Sequence, residues 1–207
     1  MSTMRLPSTP PFSLRLLFPG LALVVVGCGG AGSEGSEAST GGEAPTEIEW
    51  IELMPSEELE VLLNPPSWID EIEEGSSADE IDAELFDRDE KGRRYFRALH
   101  STSVIARFDE AAVRLPGFAV PLELDESQRV VEFFLVPYFG ACLHLPPPPP
   151  NQMIHVRFPE GLRIGRLDDA YWIEGVLSTV ITDHELGTAA YAMEASRVEP
   201  YRGPSAP

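Results

Sequence analysis

Short runs of alternating apolar and polar residues fill the second half of the chain, and each run predicts a β-strand. "AAVRLPGFAVPLEL" (111–124) offers Val113, Leu115, Phe118, Val120 and Leu122 as core candidates around a Pro116-Gly117 kink. "RVVEFFLVP" (129–137) is almost continuously apolar, as a central strand would be, and "NQMIHVRF" (151–158) puts Ile154, Val156 and Phe158 on one face. "DAYWIEGVLSTV" (169–180) and "TAAYAMEASRVEPY" (188–201) bring the number of strands to five. Turn residues separate them at Asp125-Glu126-Ser127, at a run of prolines, at Pro159-Glu160-Gly161 and over Asp183 to Gly187. Glycines inside strands, at Gly117 and Gly175, permit sharp bending. The pattern predicts a mainly β domain with an N-terminal helical segment, built on a small five-stranded OB-like barrel; an open β-sandwich is the second choice.

Ahead of the strands the period changes. "TEIEWIELM" (46–54) alternates enough for a short strand or an extended lead-in, with Trp50 buried. Ser56 is then placed to cap "SEELEVLLN", with Glu57 and Glu58 suited to the positive helix end and Asn64-Pro65-Pro66 to stop it. Residues 67–100 read as an acidic, partly helical insertion, with short helices over Ala78–Phe86 and Arg93–Leu99, and the β core occupies 104–203.

The N-terminal residues change the picture from fold to location. Arg5 and Arg15 precede an apolar run, Leu16 to Val26, of about eleven residues, too short to span a bilayer and of signal-peptide dimensions. It ends in Val25-Val26-Gly27-Cys28, which resembles a bacterial lipobox, so residues 1–27 are expected to be removed and Cys28 to carry palmitate and related acyl chains. A plain secreted protein with an incidental Cys28 is the simpler alternative. Residues 28–45 are then a lipidated Cys and a Gly/Ser/Glu linker, and 46–203 a single globular domain. Gly29 in place of Asp after the Cys favours an outer-membrane anchor facing the periplasm. The expected partners are the membrane, through this lipid, and an envelope protein.

Charge removes a class of partners. The chain carries 34 acidic and 15 basic residues, a formal charge of −19. Nucleic acid would be repelled, and none is expected as a ligand. The acid is concentrated over Glu57 to Glu90, which reads first as a solvated face.

Candidate chemistry gathers in "PYFGACLHLPPPPPNQ" (137–152). Cys142 and His144 are two apart, so on extended backbone they share a face and supply half of a zinc or copper site, with His155 as a third donor and Asp183 or His184 as further ones. The alternative is a buried thiol and a hydrogen-bonded imidazole that support the loop, with no cofactor. Cys-His nucleophilic chemistry lacks a recognisable orienting group, although Asn151 is near in sequence. Pro146, Pro147, Pro148, Pro149 and Pro150 form a stiff extended rod without backbone donors. The rod reads either as a connector, with Asn151 and Gln152 satisfying backbone groups, or as a docking edge together with Tyr138 and Phe139.

"IEWIELMP" (48–55), "VRLPGFAVPLE" (113–123), "EFFLVPYFGACLHLPPPPPNQ" (132–152), "YWIEGVL" (171–177) and "AAYAMEASRVEPY" (189–201) together resemble the bacterial envelope lipoproteins grouped as domain of unknown function 3299. The resemblance implies an envelope accessory role, linked to ABC-transporter components, and no settled activity. The acidic stretch 67–100 departs from the family pattern. Two functions from different classes follow: a non-enzymatic lipoprotein that binds an envelope protein through its aromatic and proline rim, or a metal-binding lipoprotein centred on Cys142 and His144. Hydrolysis ranks third, since Asp168-Asp169 and Asp183-His184-Glu185 sit in expected turns without a nucleophile motif.

Overall fold

A computed structural model of the chain describes residues 44–69, 83–141 and 148–202. The chain divides into two units, Met1–Thr40 and Gly41–Pro207, and the account below concerns the second.

Strand β2 (Ala111–Leu124) is long enough to serve two neighbours. Its first half pairs antiparallel with β5 (Ala170–Ser178), from Ala111↔Leu177 to Phe118↔Ala170. Its second half pairs with β3 (Val130–Val136), from Phe118↔Val136 to Leu124↔Val130. β3 continues to β4 (Ile154–Leu162), β4 runs parallel to β8 (Tyr191–Pro200), and β8 returns antiparallel to β5. The order β2-β3-β4-β8-β5 therefore closes on β2, giving a five-stranded OB-like barrel. β1 (Thr46–Glu47) adds a short parallel strand along the free side of β2, and β6 (Thr182–His184) and β7 (Gly187–Ala189) form a separate hairpin.

Alternation within each strand fills the barrel. Val113, Leu115, Phe133, Leu135, Ile154, Val156, Ile173, Leu177, Tyr191 and Met193 point inward and are almost fully buried. Gly117 belongs to this inward row. A Cβ there would lie 2.8 Å from Leu135 Cδ1, so the glycine permits close strand approach. Phe118, Val120 and Leu122 fall out of phase with Val113 and Leu115. Without an irregularity at Pro116-Gly117 the alternation runs on unbroken, so these three leave the barrel interior. They pack instead into a second apolar cluster on the outer wall, against Phe134, Val136, Ala141, Met153 and Ala189.

Three other sequence expectations are corrected. The predicted strand 46–54 is a strand only at Thr46–Glu47, followed by a 3-10 turn at Trp50–Leu53 in which Glu49 and Glu52 form a capping box. Pro159-Glu160-Gly161 is not a turn: β4 continues to Leu162, and the register jumps from Glu132↔Arg157 to Val130↔Leu162, so the extra residues bulge outward. The run from 188 breaks at Ala190, which separates β7 from β8, and Asp183 to Gly187 belongs to the β6–β7 hairpin.

The helices are short. α1 (Ser56–Leu63) starts after Pro55, so Ser56 is its first helical residue and not its cap, and it ends at Asn64 before the prolines. α2 (Ala83–Phe86) covers the second half of the first predicted helix, whose residues 78–82 lie outside the described residues, and α3 (Glu90–Leu99) contains all of the second and starts three residues earlier. Asp89 caps α3 by accepting from Gly92 N at 2.7 Å, and Trp68 Nε1 donates to the other oxygen of that carboxylate at 3.1 Å. The Gly92 amide first, and the Trp68 indole next, hold the Asp89 carboxyl below its usual range.

Candidate functional site

The two ends of the 137–152 stretch do different things. At its first end β3 finishes at Val136, and Tyr138-Phe139 pass over the barrel wall before Gly140 turns the chain with φ of 79°. Tyr138 is 46% and Phe139 52% exposed. The Phe139 ring lies 6.1 Å from Phe118, one of the residues that left the barrel interior. Leu167, in the β4–β5 loop, and Leu186, at the tip of the β6–β7 hairpin, are also more than half exposed. Phe118, Ala119, Val120, Pro121, Val136, Phe139, Gly140, Leu167 and Leu186 enclose an apolar groove of about 190 Å³. Its floor is continuous with the outer-wall cluster, so the groove has a rigid base and side chains at its lips.

At the other end Pro148 and Pro149 are buried and Pro150 opens a 3-10 turn through Gln152. Asn151 is fully buried; its Nδ2 donates to Glu58 Oε2 at 2.9 Å and to the Ser103 carbonyl at 3.1 Å. Gln152 Nε2 donates to the Trp50 carbonyl at 2.9 Å, and Trp50 Nε1 to the Pro116 carbonyl at 2.6 Å. Tyr191 completes the clamp from β8: its hydroxyl donates to Leu53 O and accepts from Ile105 N, at 2.9 and 2.7 Å. Burial pushes the Tyr191 phenol above its ordinary value, which keeps the donor protonated. Asn151 and Gln152 thus fasten the segment 50–58 and the 101–103 connection to the barrel.

The candidate metal donors divide. Cys142, His144, Pro146 and Pro147 lie outside the described residues. His155 is on the outer face of β4, its Nε2 3.4 Å from Glu132 Oε2 and its ring 6.0 Å from Phe134. His184 approaches the same Phe134 ring at 5.8 Å, while its Nδ1 accepts from Leu186 N. Asp183 accepts from the Thr188 hydroxyl, and Asp168 is held by Arg166. Among the described residues no group of three or more His, Cys, Asp or Glu is placed to hold a metal ion. Sequence reasoning missed Leu167 and Leu186, whose signal was a lone leucine inside a polar turn. It also missed Glu58 and Ser103, which carry no local signal for pairing with Asn151.

The family model described as "Protein of unknown function (DUF3299)" matches residues 50–200. The chain belongs to the DUF3299 family. A crystal structure of a DUF3299 family protein from Pseudomonas aeruginosa PAO1 is similar to it, with 33% identity and a TM-score of 0.56, over 78% of this chain and 99% of that one. No curated protein matches the chain. The family match begins at Trp50 and takes in both ends of the 137–152 stretch, the clamp and the groove lip alike.

Proposed function

We propose that this DUF3299 protein is a lipid-anchored accessory factor of the bacterial envelope that docks a protein partner through its aromatic rim. One observation carries the reading: three exposed apolar side chains, Phe139, Leu167 and Leu186, stand around a groove floored by a packed apolar cluster, and exposed Tyr138 precedes Phe139 in the chain. Large apolar side chains left in water over a preformed slot are what a docking surface requires.

Magnitudes limit what the groove does alone. A cavity of about 150 Å³ accepts a benzene ring, so 190 Å³ suits one aromatic or branched aliphatic side chain. Burying such a side chain yields about 1.5–3 kcal/mol, less than the roughly 4 kcal/mol or more that association costs. Two further sources close the difference: contacts to Tyr138 and Phe139 beside the slot, and confinement to a membrane that the partner shares. A lipid at Cys28 followed by the 29–45 linker raises the effective concentration of the domain near an envelope partner without adding contacts. The excess of acid sets nucleic acid aside.

The test is a photo-crosslinking residue placed at Phe139 in the full chain in its native envelope, with the same residue at exposed Glu160 as control. The expected result is one envelope protein, identified by mass spectrometry, crosslinked from position 139 alone and lost when Leu186→Asp is added. Equal crosslinking from 139 and 160, or capture indifferent to Leu186→Asp, refutes it.

A further inference from the structure

Val113 pairs with both Thr46 of β1 and Gly175 of β5, and Phe118 with both Val136 of β3 and Ala170 of β5. A residue has two edges, so β5 lies along one edge of β2 while β1 and β3 share the other. Alternation then fixes which backbone groups face which edge. The Arg114 carbonyl accepts from Ile48 N at 3.0 Å beside β1, so even-numbered residues of β2 turn their N–H and C=O to the β1–β3 edge. Odd-numbered residues turn theirs toward β5. The β5 ladder ends at Phe118↔Ala170. Asp169, next on that side, is folded back into its loop: its amide donates to Arg166 O at 3.1 Å and its Oδ2 accepts from Arg166 N at 2.9 Å. The N–H and C=O of Ala119 and the C=O of Pro121 therefore face a side where, among the described residues, no strand pairs with them. Both residues line the apolar groove. The Ala119 side chain belongs to the barrel interior, so what this residue adds to the lining is main chain.

We propose that the partner contributes an extended peptide segment, which adds a strand to the free edge of β2 at Ala119–Pro121 and sets one apolar side chain in the groove. The inference rests on the docking reading above and adds the partner's conformation and the way its main chain is held. Backbone donors and acceptors left without partners beside an apolar slot are satisfied by another backbone, and the slot then takes an alternate side chain. Partner residues opposite Phe118 and Val120 share the outer face of the sheet with them, so their side chains point into the space that Phe118, Val120 and Phe139 line. Ala119 makes two hydrogen bonds to the added strand and Pro121 accepts a third. Pro121 also limits the addition. It has no N–H and faces the free edge, where a sheet tolerates proline, so it cuts the pairing short and hinders two copies of the edge from joining.

The test repeats the crosslink from position 139, in the full chain in its native envelope, with the edge altered. Ala119→Pro removes the one donor that the edge offers. It should cut the yield of the crosslinked envelope protein, identified by mass spectrometry, at least about fivefold, the weight of one net hydrogen bond. Ala119→Gly keeps that donor and should leave the yield as in the parent chain. Pro121→Ala gives the edge a second donor and should raise the yield by a similar factor, whereas damage to the groove lowers it. Thermal melts of each variant show that the domain is folded, and if Ala119→Pro does not fold, Pro121→Ala decides alone. A yield unchanged in Ala119→Pro, or not raised in Pro121→Ala, overturns the strand addition and leaves the docking reading intact, since the partner then meets side chains only. A parent chain that gives no crosslink specific to position 139 removes the docking reading, and this inference with it.

Discussion

Asn151→Ala isolates the clamp from everything else in the motif. The side chain is fully buried, and its Nδ2 donates to Glu58 Oε2 and Ser103 O at 2.9 and 3.1 Å. Its Oδ1 is buried and accepts no hydrogen bond among the described residues, so the loss falls on the amide nitrogen. Each buried hydrogen bond contributes about 1 kcal/mol net, and the one to a carboxylate somewhat more. The Ser103 carbonyl is left unpaired, whereas Glu58 is half-buried, still accepts from Ser101 Oγ, and recovers some solvation. The expected cost is therefore about 2–3 kcal/mol. For a domain of this size that lowers Tm by about 5–10 °C. Urea unfolding followed by tryptophan fluorescence should show the midpoint fall with the slope unchanged, since the surface exposed on unfolding is the same. Asn151→Asp should be worse at neutral pH, because it sets a second buried carboxylate beside Glu58, and should recover on mild acidification as the pair takes up a proton. A loss below about 0.5 kcal/mol for Asn151→Ala, or an Asp variant indifferent to pH, would show that the segment 50–58 is held by other contacts.

Tyr191→Phe keeps the packing of the ring but deprives Leu53 O and Ile105 N of their shared hydroxyl, and should cost about 1–3 kcal/mol by chemical denaturation. Gly175→Ala would put a methyl group 2.9 Å from Ala195 Cα and Met193 Cγ, where β5 crosses β8, and should destabilise by about 1–3 kcal/mol through overpacking, again read as a shift in urea midpoint. The Asp89 carboxyl is depressed in the folded state, so its contribution to the α3 cap is present above the ordinary carboxylate range and is lost as pH falls through the folded value. The Trp68 indole resonance should shift during acid titration below about pH 4, and Asp89→Asn should remove that shift.

The alternation of apolar residues was enough to place every barrel strand, because a residue inside a closed barrel has water on neither side and each strand must keep period two. It did not decide which apolar face was inside along β2. Both faces of that strand are covered, one by the barrel interior and one by the outer-wall cluster, so Phe118 and Val120 look the same in sequence as Val113 and Leu115. Pro159-Glu160-Gly161 has turn composition, but its neighbours on β3 keep it in the strand as a bulge. The groove was half legible: Tyr138 and Phe139 stood out beside the prolines, while Leu167 and Leu186 join them only through folding. Asn151 and Gln152 were expected to serve nearby backbone. Their partners are Glu58, 93 positions away, and the carbonyls of Ser103 and Trp50. No local rule reaches such a distance.

The opposite burial of the two ends of 137–152 separates binding from stability. Phe139 is about half exposed and touches the fold through the groove floor, so truncating it should cost little in folding. Asn151 and Gln152 join the barrel to the segment 50–58, so truncating them should loosen that junction while leaving the groove lining in place. Phe139→Ser should thus abolish docking at unchanged Tm. Asn151→Ala should lower Tm yet, at a temperature where the domain remains folded, leave crosslinking from position 139 as in the parent chain. A variant at either end that moved both quantities together would mean that the two ends form one structural unit, and the division argued from their burial would fall.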